Sequence, residues 1–228
     1  HGICFTGNVF GALFGHFPNL VTVRGDRYRD ALTYVATLEK IQALDPEMLC
    51  VGHHEPVRGR ELIRSELARM HDAVLFVHDA TVKGMNEGKD VFTLMREIKL
   101  PPELEVGEGY GKISWSVRAI WENYIGWFHQ HSTTELYPTP HWSVSPDLCE
   151  LAGGPDVIAK AARKKLESGA AVEAIHLAEV ALAADRHHVA ATEASLAAHR
   201  ILLAQTSNFW EHRWLEKQIT KLERNKGE

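Results

Sequence analysis

Met48-Leu49-Cys50-Val51-Gly52-His53-His54-Glu55-Pro56-Val57-Arg58-Gly59 is the stretch on which the fold turns. Four apolar residues in a row, Met48–Val51, read as a buried strand, and Gly52 lets the chain bend sharply before His53. Upstream, Ile3-Cys4-Phe5 followed by Thr6-Gly7-Asn8 reads as a second short strand ending in a tight turn. Between the two, Tyr28, Ala31, Leu32, Val35, Leu38, Ile41 and Leu44 recur at helical spacing. They predict a helix over 27–44, capped by Asp26 and stopped by Asp45-Pro46. Leu20-Val21-Thr22-Val23 is a further short apolar run, closed by Arg24-Gly25. Strand, helix, strand in this order points to an α/β layer arrangement. Ile3–Phe5 is apolar on both faces with nothing before it to pair, so the chain is expected to begin part-way through a domain.

From Arg60 the pattern turns helical. Leu62, Ile63, Leu67, Met70, Val74 and Val77 form one stripe of a long helix running to about Gly84, and Val91–Ile98 is a shorter one ended by Leu100-Pro101-Pro102. Gly107–Gly111 is a glycine-rich turn, and Trp115–Phe128 reads as a helix whose aromatic stripe faces a core. Three prolines make 131–149 an extended connection, and His129-x-His131, following the helix, is expected to be solvated. The last third, over 156–167, 170–184, 187–204 and 209–224, is close to pure helix. Ala174, Ala178, Ala181, Ala191, Ala194 and Ala198 recur at three- and four-residue steps, which lets helices approach closely in a repeat-like hairpin. The expected parts are 1–60, 61–149 and 150–228, mostly α overall.

Composition excludes several classes. A formal charge of −5 gives no generic electrostatic grip on nucleic acid, and no apolar run reaches the roughly 18 residues a bilayer span needs. Cys4, Cys50 and Cys149 are odd in number and widely spaced, so free thiols are expected rather than a disulfide frame. Residues 1–4 have neither a basic n-region nor an apolar h-region, and the location stays open between cytoplasm and periplasm.

The candidates for chemistry begin with His53, an imidazole after a strand and a Gly turn, and Asn8, in the turn upstream. Together these loops resemble the last two metal-site loops of a metallo-β-lactamase-fold hydrolase. The preceding loop of that fold, His-x-His-x-Asp-His, is nowhere in the sequence, and Asn8 stands where the fold has a bridging Asp. A neutral amide bridges two cations poorly.

Longer motifs carry a more specific likeness. Gly109-Tyr110-Gly111-Lys112-Ile113-Ser114-Trp115-Ser116-Val117-Arg118, Tyr124-Ile125-Gly126-Trp127-Phe128 and Leu100-Pro101-Pro102-Glu103-Leu104 resemble the alkylsulfatase family. Residues 178–185 and 208–215 are similar to its helical dimerisation domain. The departures are Trp115-Ser116 in place of His-Asn and His54-Glu55 in place of His-Trp. The family's carboxylate ligands have no counterpart around 8–16, and no sterol-carrier-like domain follows.

The resemblance implies an α/β remnant of a metallo-β-lactamase fold followed by a helical dimerisation domain. It implies two zinc ions in a parent enzyme, with His53 as a ligand, and hydrolysis of a small anionic sulfate ester. It also implies that Tyr110 and Arg118 border the site mouth, where a phenol and a guanidinium suit an anion. From the residues alone, Tyr110 equally packs and Arg118 equally pairs with Glu122 one turn on. The expected assembly is a homodimer, with Trp210 and Trp214 as anchors. By itself the chain, without the His-x-His-x-Asp-His loop, is expected to be inactive. A thioester or lactone hydrolase of the same fold, and a metal-free binding or dimerisation module, stay open.

Overall fold

A computed structural model describes residues 2–11, 13–21, 23, 25 and 27–225; Asp26, expected as a helix cap, lies outside them. The chain divides into two compact units, 1–129 and 130–228. By compactness, then, residues 61–129 group with 1–60.

In the first unit, β1 (Ile3–Gly7) pairs in parallel with β2 (Met48–Val51), and β2 pairs antiparallel with β3 (Val57–Arg58), giving the order β1-β2-β3. Between the parallel strands runs α1 (Ala31–Ala43), as a parallel crossover requires. The helix is shorter than its apolar spacing predicts. Asp30 caps it by accepting from the Thr33 N–H, so Tyr28 lies before the helix. One stripe, Ala31, Val35, Leu38 and Ile41, is buried against α2 (Arg60–Asn86), which turns Ile63, Leu67, Met70, Val74 and Val77 inward. Leu49, fully buried under these helices, contributes about 1.5–3 kcal/mol. The other face of β1 is uncovered: Ile3 is 46% and Phe5 81% exposed. No strand forms at 20–21, where Leu20 is instead a buried core residue of a loop.

Two more helices, α3 (Val91–Glu97) and α4 (Ile113–Ile125), complete the unit. The expected aromatic helix ends early because Gly126, at φ 80°, stops it. Of its aromatic stripe only Trp121 is core; Trp127 is 71% exposed.

In the second unit, 131–149 is not simply extended. A capping box joins Ser132 and Glu135 around a 3-10 turn (Thr133–Leu136), a second such turn spans His141–Val144, and α5 (Ser145–Leu151) follows. Then come α6 (Pro155–Glu167), α7 (Ala171–Ala184), α8 (Val189–Gln205) and α9 (Phe209–Asn225), each packed on the next. The alanine steps are the seams: Ala174, Ala178, Ala181, Ala191 and Ala198 are completely buried. Among the described residues no helix is long and apolar enough to cross a membrane.

Candidate functional site

Three loops of the first unit meet at the carboxyl ends of β1 and β2. The Gly52 N–H donates to the Gly7 carbonyl at 2.6 Å, which sets the Gly52-His53 bend beside the Gly7-Asn8 turn. Any side chain at Gly52 would strike the Asn8 amide and, at 3.0 Å, the Gly7 carbonyl. The third loop is 107–111. Its Gly109 N–H donates to His16 Nδ1 at 3.1 Å, and the Gly111 N–H donates to the Phe17 carbonyl. The Tyr110 ring lies against Gly11, where a Cβ would sit 2.7 Å from the ring. Asn8, His53 and Tyr110, chosen from residues up to a hundred positions apart, therefore belong to adjoining loops.

Arg118 does not join them. Its Nε donates to Glu122 Oε1 at 2.7 Å, the one-turn pairing that its spacing allowed. Glu122 also accepts from the Tyr28 hydroxyl, and His129 Nε2 lies 3.3 Å from its Oε1. Burial works to raise the Glu122 carboxyl, but the hydrogen bonds from Tyr28 and Arg118 outweigh it and hold the group below the usual range. His129, expected in solvent, instead takes this contact and meets the edge of Trp121.

Beside Asn8 opens a cleft of about 400 Å³ lined by Asn8, Gly11, Asn19, Arg29 and Tyr34 among others. Asn19 is 3% exposed and its side-chain N–H₂ has no hydrogen-bond partner; the buried Tyr34 hydroxyl has none either. Burial pushes the Tyr34 hydroxyl up, so it stays a neutral donor. Arg29 donates to the Asn19 carbonyl at 3.0 Å and brings its charge to the same wall. Buried donors without acceptors are costly, and the cleft sets these donors and the Arg29 charge beside the Asp30 carboxylate. These three residues were missed in the sequence because each sits in a segment that reads as loop or helix stripe. Only the polar Asn19 ahead of an apolar run was a visible signal.

The metal expectation meets a different chemistry. Among the described residues no three of His, Cys, Asp or Glu gather closely enough to hold a metal. His53 is exposed, and with the neutral Asn8 it falls short of the three or four ligands zinc takes. These residues do not by themselves fit a two-zinc centre.

Residues 92–224 match the family described as alkyl sulfatase dimerisation. The chain belongs to this family. A linear primary-alkylsulfatase of Pseudomonas sp. is 37% identical over 150 residues, covering 64% of this chain and 28% of that protein. The alkyl/aryl-sulfatase of Saccharomyces cerevisiae is 26% identical, covering 68% of this chain and 25% of the relative. A stereoselective inverting sec-alkylsulfatase from Pseudomonas sp. superposes on all of this chain and 36% of its own, with a TM-score of 0.87 at 26% identity. The alkylsulfatase resemblance read from the 100–128 motifs is thus shown. The chain spans about a quarter to a third of the length of these relatives.

Proposed function

We propose that this chain is a segment of an alkylsulfatase-like hydrolase, in which the first unit receives the anionic head of an ester and the helical second unit drives homodimerisation. The juxtaposition of the Gly7-Asn8 and Gly52-His53 turns at the ends of parallel strands carries the reading. In a metallo-β-lactamase-like domain such turns border the reacting group, and the open apolar face of β1 supports an α/β remnant of that kind. Asn19, Tyr34 and Arg29 would hold the sulfate oxygens, a charge-assisted arrangement. Zinc, if the full enzyme uses it, would require ligands besides His53.

Titrating hexyl sulfate into the chain by calorimetry tests the head-group site. Binding should be saturable, and Arg29→Ala should weaken it about ten- to a hundredfold, since a hydrogen bond to a charged group contributes about 1.5–3 kcal/mol. Binding that is unaffected by Arg29→Ala and by Asn19→Leu would remove the cleft from the proposal. In a full-length protein, His53→Ala should lower zinc content and sulfatase turnover together; unchanged values would take His53 out of the site.

A further inference from the structure

Away from this site, α2 and α4 share a second constellation that the proposed function does not use. His78 is 8% exposed in the interior of α2. Its Nδ1 lies 2.8 Å from Asp79 Oδ1, and its Nε2 lies 2.8 Å from the hydroxyl of Tyr124 on α4. A carboxylate only accepts, so Nδ1 carries the ring proton and Nε2 presents its lone pair to the phenol. Tyr124 therefore donates to a base that a third group orients. Nucleophile, base and orienting acid in hydrogen-bond sequence are the signature of an activated nucleophile. The rest of the arrangement agrees: the base is shielded from water, whereas the Tyr124 residue is 57% exposed.

We propose that Tyr124 is a reactive nucleophile of this chain, directed at activated acyl esters, with His78 as its base and Asp79 as a positioning residue. The phenolic oxygen attacks the ester carbonyl, and its proton passes to His78 Nε2. The new O–C bond to Tyr124 forms as the bond to the aryloxide leaving group breaks, so an acyl-tyrosine and a phenolate result with no change in oxidation state.

The chain supplies its own control. Tyr137 is 64% exposed, comparable with Tyr124, but among the described residues no imidazole bonds its hydroxyl. With p-nitrophenyl acetate as the probe and site-resolved mass spectrometry as the readout, Tyr124 should acetylate about a hundredfold faster than Tyr137, the low end for a positioned general base. His78→Gln keeps a hydrogen bond but cannot take the proton, and should bring Tyr124 down to the rate of Tyr137. Asp79 is on the surface, so Asp79→Asn tests the relay without disturbing the core; it should slow Tyr124 acetylation while Asp79→Glu restores it and the thermal midpoint stays fixed. Equal acetylation of the two tyrosines in the unmodified chain overturns the proposal. So does a Tyr124 rate that survives both Asp79→Asn and His78→Gln.

Discussion

Gly52 shows how a single missing side chain sets the geometry of the candidate site. A Cβ there would meet the Gly7 carbonyl at 3.0 Å and the Asn8 amide, both on the neighbouring loop. Gly52→Ala should therefore destabilise the first unit by about 1–3 kcal/mol, as overpacking does. Urea unfolding measures it, and an unchanged midpoint would mean the two loops are free to separate. Glu122 gives a prediction with a pH sign. Its folded value lies below the ordinary one, so its contribution is full above about pH 4.3 and is lost as pH falls through the depressed value. Glu122→Gln should flatten acid denaturation in that window; a variant that loses stability on acidification as steeply as the parent chain would show that Tyr28, Arg118 and His129 gain nothing from the carboxylate.

At the scale of elements, packing by alanine predicts that the second unit tolerates little bulk at its helix seams. Ala178 is completely buried in α7, whereas Val172 in the same helix is 50% exposed. Ala178→Leu should cost about 1–3 kcal/mol, and Val172→Ala should stay within about 0.5 kcal/mol; near-equal thermal midpoints for the two would contradict a close helix seam. These helices were legible in the sequence because three- and four-residue steps repeat over many turns, and each predicted span falls within a few residues of α6 to α9. Elements set by one local bond were harder to read. The start of α1 is set by the bond from the Thr33 N–H to Asp30, and Tyr28 extends the apolar stripe past that cap. The turn at 133–136 has no periodicity, and its sign was the Ser132-x-x-Glu135 box. In the site, the loops of Asn8, His53 and Tyr110 were legible as motifs. The donors of the cleft were not, because which loop residue is buried without a partner is decided by the fold around it.

For the whole molecule, the apolar segment that the second unit exposes matters most. Leu136, Tyr137, Trp142, Val144, Leu148 and Leu151 are each at least half exposed within sixteen residues, and Leu151 reaches 84%. Trp214 on α9 is 49% exposed as well. Scattered apolar residues need no explanation, but a concentration of this kind along one segment is expected of an interaction surface. Large aromatics are favoured anchors of such surfaces, and two-fold pairing is the commonest arrangement. With the match to a dimerisation family over 92–224, the expected occupant is a second copy. Light scattering at micromolar concentration should then give about twice 25.6 kDa. Trp142→Asp with Leu151→Asp should return the mass to that of one chain, because charges stranded in a buried apolar contact are strongly unfavourable. Circular dichroism separates dissociation from unfolding: helix content should persist in the double variant, since neither residue belongs to the alanine seams. A single-chain mass for the unmodified protein, or a dimer that ignores both substitutions, would place the pairing surface elsewhere or deny it.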